Sequence, residues 1–207
     1  MDRYELDGLR FFSCDLPMNR SRLAQLMVEA IIGSIGSIRS DFFAKSVYSF
    51  VIVTTEGFTS VLDSFGTRED LSATAYDIPI LGSDLSPEIL EEVKADPDLF
   101  ALLVNAKIIP EYLIASGWSH FGHCNHYSKV NDFLDREYYD NAHRMIEEVI
   151  VQSLLRLKNE GRFRGSPFED DLFLCIQHMD DPVSEATIRA SEILNSKEWH
   201  EKLLEHT

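Results

Sequence analysis

The densest set of ligating side chains in the chain is the run His120-Phe121-Gly122-His123-Cys124-Asn125-His126. Imidazole nitrogen and thiolate sulfur are the donors that zinc prefers, and a structural zinc takes four of them in a tetrahedron. His120, His123, Cys124 and His126 are therefore the candidate metal ligands, with His143 able to arrive from a later helix. Structural sites usually draw two separated ligand pairs together, whereas this run is crowded and the sequence offers no second pair. In the competing reading Trp118, Phe121 and Tyr127 pack and the histidines hydrogen-bond or face water. The expectation is that the chain carries no cofactor, with zinc at this cluster as the alternative.

Other constellations are weaker. Asp170-Asp171 and Asp180-Asp181 flank a late apolar run, and carboxylates can hold a hard cation such as magnesium. An extended strand between them sets the pairs about 30 Å apart, too far to share one ion. The sequence contains no Gly-x-Ser-x-Gly elbow and no His-Glu-x-x-His helix. Cys124 beside His123 and His126 makes a thiolate pair only on paper, since chain neighbours often point apart. Gly33-Ser34-Ile35-Gly36 lacks the preceding strand and the third glycine of a dinucleotide loop. These features lean against an enzyme.

The elements that must position such groups follow from periodicity. Leu23, Leu26, Met27, Ala30, Ile31, Ile35 and Ile38 form a helical stripe. Val47 to Thr54 is β-branched and aromatic, and Phe58 to Leu62 is a second β-prone run after the turn residues Thr55-Glu56-Gly57, so 47–62 reads as a β-hairpin. Thr67 with Asp70 three residues on marks a helix start. Ser86-Pro87 and Asp96-Pro97 mark two more. A long helix is expected over 138–159, ended by Gly161, with Glu147 and Glu148 on its solvated face. Residues 171–177 read as a buried strand, Asp181-Pro182 as a helix start, and Trp199, Leu203 and Leu204 as the apolar face of a last helix. The fold class is therefore α+β, a single domain over 1–207. A mainly antiparallel sheet, made of the hairpin and the late strand, is covered by helices.

Composition bounds the partners. Thirty-five acidic residues against 19 basic ones give a formal charge of −16. Such a field repels phosphate backbones, and the densest basic stretch, Arg162 to Arg164, holds two charges, which argues against nucleic acid. Leu23 to Ile38 is too short and too polar to cross a bilayer. The acidic start of the chain does not resemble a secretory signal, and Cys14, Cys124 and Cys175 form no CxxC pair. The expected address is the cytoplasm, and the expected partner is a basic protein. Glu147, Glu148, Trp118 and Tyr139 are the candidate partner-binding residues.

Several landmarks together resemble a known family. They are the hairpin Tyr48 to Leu62 with Thr67-Arg68-Glu69 after it, Trp118-Ser119-His120-Phe121-Gly122 leading to Val130-Asn131-Asp132-Phe133-Leu134, Leu157-Lys158-Asn159-Glu160-Gly161-Arg162-Phe163, and the strand Leu172 to Gln177. From about Arg20 onward the chain is similar to the bacterial family called domain of unknown function 4303. The resemblance implies a small cytosolic bacterial protein and a role as an immunity protein beside a toxin. It supplies no catalytic residues.

Overall fold

The computed structural model describes residues 19–55, 60–69, 120, 126–137, 142–179 and 183–204. Helix α1 spans Arg20–Asp41, three residues longer at each end than its apolar stripe. Asn19 starts it by accepting the Arg22 N–H at 3.0 Å, which satisfies one of the amides a helix leaves open at its first turn. The two glycines do not break it, because Leu23, Leu26, Met27, Ile31, Ile35 and Ile38 are all buried along one side.

Strand β1 (Val47–Thr54) turns back antiparallel into β2 (Val61–Thr67), pairing Phe50 with Phe65 and Thr54 with Val61. Thr55 closes the hairpin by hydrogen bonds with Ser60. Thr67 is the last residue of β2, and Arg68 and Glu69 follow it as helix. Helices α2 (Ser128–Glu137) and α3 (His143–Asn159) lead to β3 (Phe168–His178). The long helix expected over 138–159 therefore begins at His143, and the part of it over 138–141 lies outside the described residues. Gly161 stops α3 as expected, at φ 73° with the Arg162 N–H returning to the Leu157 carbonyl, a left-handed cap that glycine adopts without penalty.

The chain is an α+β protein with a mixed three-stranded sheet among the described residues, in the order β2-β1-β3. The hairpin is antiparallel and β3 joins β1 in parallel, Phe50 opposite Leu174 and Thr54 opposite His178. Alternate strand residues face opposite sides. On one side Phe173 packs against Trp199 of α5 (Lys197–Leu204), ring centroids 5.4 Å apart, and the Cys175 thiol reaches the Thr187 carbonyl of α4 (Glu185–Leu194). On the other, His178 meets Glu147 of α3. Cover on both faces is why every residue of β1 is buried and why its sequence is nearly unbroken in apolar character.

Two expectations change at the C-terminal end. Helix α4 starts at Glu185 rather than at Pro182, because Ser184 is in extended conformation and its hydroxyl accepts the Thr187 N–H. On α5, Trp199 and Leu203 are buried while Leu204 is 43% exposed. The helices expected near Ser86 and Asp96 lie outside the described residues.

Candidate functional site

Of the four candidate zinc ligands, His120 and His126 are described, and His123 and Cys124 lie outside the described residues. His120 is half-buried between aromatic rings, stacked on Phe65 at 4.5 Å and edge-on to Phe42 at 4.5 Å. His126 lies against α1, where Nε2 shares a hydrogen bond with the Ser37 hydroxyl at 3.0 Å. Its ring occupies the space where Gly33 has no side chain: a Cβ there would stand 2.6 Å from Nδ1. Gly33 is thus a docking notch for an imidazole, a role that the dinucleotide-loop pattern does not contain. Among the described residues no three His, Cys, Asp or Glu side chains converge as a metal site would require.

Cys175 is buried within β3, and burial pushes its thiol up to about 12. At neutral pH it stays protonated, a small apolar core residue rather than a nucleophile.

Glu147 and Glu148 diverge. Glu148 is exposed and lies 3.1 Å from Arg20 and 3.7 Å from Arg144. Glu147 does not belong to the solvated face expected for it: its side chain is only 16% exposed. It lies 3.0 Å from Arg189 of α4 and 3.8 Å from His178 Nε2, while His178 Nδ1 shares a 2.7 Å hydrogen bond with the Thr54 hydroxyl. The physical reason is α4, which packs beside α3 and turns an apparently polar helix position into an interhelical one. The resulting network, Thr54-His178-Glu147-Arg189, sits at the carboxyl ends of the parallel pair β1 and β3. Thr54 is fully buried, and the hydroxyl, imidazole and carboxylate together tie α3 and α4 to the sheet. Residue spacings of 42 and 124 along the chain separate the partners; no local pattern could have revealed them. Trp118 and Tyr139 lie outside the described residues.

A second charged cluster ties the start of β3 to the hairpin. Arg68 grips Glu169 with both Nε and Nη2, at 2.9 and 3.0 Å, and the Ser46 hydroxyl donates to the same carboxylate. Burial alone would raise the Glu169 carboxyl. The hydrogen bonds from Arg68 and Ser46 and the Arg68 charge outweigh it and hold Glu169 below the usual range. Arg68 also lies 4.5 Å above the Tyr48 ring.

A groove of about 300 Å³ lies between α1 and α2. Leu26 and Phe133 line it together with Arg22, Lys129 and Arg136, opposed by Asp132 and Glu137. Its walls therefore carry three cations and two acids. No helix among the described residues is long and apolar enough to cross a membrane.

No protein-family model, curated protein or solved structure matches this chain.

Proposed function

We propose that the chain is a non-catalytic binding protein, acting as a bacterial immunity or antitoxin-like protein that captures a basic partner such as a toxin in the cytoplasm. The observation that carries this reading is the surplus of 35 acids over 19 bases. Many of the described cations are already answered within the chain: Arg68 by Glu169, Arg189 by Glu147, Arg156 by Glu160, Arg20 by Glu148 and Lys202 by Glu198. Pairing consumes one acid per base, so the excess of acids remains to set the outer field. Asp132, Asp135, Asp170 and Glu192 are among the exposed ones. A negative field speeds encounter with a basic surface, and carboxylates can occupy a site that normally receives phosphate.

The test is co-expression with the protein encoded beside this one. Rescue of growth from that neighbour's toxicity, with co-purification of the pair, is expected. Neither rescue nor co-purification would overturn the immunity role.

A further inference from the structure

One sheet edge among the described residues ends on a side-chain amide that imitates a strand. Asn195, at the C-cap of α4, accepts the Leu174 N–H at 2.7 Å through Oδ1 and donates to the Leu174 carbonyl at 2.9 Å through Nδ2. Those are the two bonds a neighbouring strand would make to an outward-facing residue. The same corner holds the edge further along. The Trp199 indole donates to the Asp171 carbonyl at 2.9 Å and the Ser196 hydroxyl to the Asp171 carboxylate at 3.1 Å. The Lys158 ammonium fastens the corner from below by donating to the Leu194 carbonyl.

What lies beneath this cover is Leu172-Phe173-Leu174-Cys175-Ile176, a strand segment with no charge, proline or glycine. A bare edge of that composition is a template for pairing with an identical segment, and antiparallel pairing about a two-fold axis would use the same residues twice. On β2, Asn131 makes the equivalent pair of bonds to Val61. That strand carries Asp63 within its run, so it lacks the uniformly apolar composition of the β3 segment.

We infer that the corner between α4 and α5 is a built-in cover for the β3 edge, with Asn195 as its clasp, and that opening it turns β3 into a pairing surface for a second copy of this chain. The state of the clasp, rather than the strand sequence, then decides whether the chain self-associates.

The experiment combines native-state hydrogen exchange with sedimentation velocity on the full chain and its Asn195→Ala and Asn195→Asp variants. The aspartate keeps an acceptor for the Leu174 N–H but loses the donor and sets a carboxylate against the carbonyl. In the unaltered chain the Leu174 amide is expected to exchange together with the amides of α4 and α5, through an opening more frequent than the one exposing β1. Both substitutions should speed Leu174 exchange at least tenfold, and dimers should grow with protein concentration beyond the unaltered chain. Faster exchange with unchanged sedimentation at every concentration would overturn the pairing surface. Should both variants fail to fold, the exchange pattern of the unaltered chain decides: joint opening supports the cover, and exchange of α4, α5 and Leu174 only with β1 overturns it.

Discussion

Replacing the two α1 glycines by alanine, one at a time, separates packing from propensity inside a single helix. Glycine within a helix costs about 0.5–1 kcal/mol relative to alanine, because its backbone loses more freedom on folding. At Gly36 a new Cβ meets nothing within 4 Å, so Gly36→Ala should gain that whole amount. At Gly33 the same gain is opposed: the new Cβ would stand 2.6 Å from His126 Nδ1, and ordinary contact begins at 3.4 Å. The ring must withdraw by roughly 0.8 Å, the difference between those two distances. That breaks its hydrogen bond to Ser37, a loss of about 0.5–1.5 kcal/mol. Gly33→Ala should therefore be neutral or destabilising, and Gly36→Ala should exceed it by about 1 kcal/mol, or about 2–4 °C in Tm for a chain of this size. Urea unfolding at constant m measures the difference, and adding His126→Ala to Gly33→Ala should restore the propensity gain. Equal stabilisation by the two alanines would show that His126 does not rest in the Gly33 notch.

Three further outcomes are expected. Glu147→Lys places a cation between Arg189 and His178 in a mostly buried position and should cost about 1–3 kcal/mol, whereas Glu148→Lys should stay within about 0.5 kcal/mol; urea midpoints that coincide would contradict the interhelical role of Glu147. Since the folded Glu169 carboxyl lies below its ordinary 4.5, the stability it adds is present above that pH and is lost as pH falls through the lower folded value. Arg68→Ala should remove that loss, so its stability against pH should be flatter on the acid side, and an unchanged acid slope would refute the assignment. Protein purified without a tag should carry less than about a tenth of an equivalent of zinc; a full equivalent that disappears on His123→Ala or Cys124→Ala would establish the metal reading instead.

The sequence was most legible where one residue type recurs at a fixed period. The stripe from Leu23 to Ile38, the β-branched run from Val47 and the stop at Gly161 each follow from local physics, so α1, β1 and the end of α3 stand where their patterns put them. The parallel pairing of β3 with β1 was not legible, because strand direction is fixed by the crossover through α3 and not by the strand's own residues. Glu147 misled for a related reason: i,i+4 logic sees one helix, and the group that buries this carboxylate, Arg189, comes from another. His126 was legible as a ligating side chain but not as a packed one, since its partners Gly33 and Ser37 lie about ninety residues away.

If a negative field brings a basic partner to this chain, the association rate with the protein encoded beside it, followed by stopped flow from 0.1 to 1 M salt, should reveal it. Across that range the screening length shrinks from about 10 Å to about 3 Å. Attraction between exposed charges then largely vanishes while packed contacts persist. The expected association rate is at least tenfold slower at 1 M, with a dissociation rate that changes much less and a further slowing at low salt when exposed acids such as Asp132 and Glu148 become lysine. An association rate indifferent to salt and to these reversals, or no association at all, would contradict it.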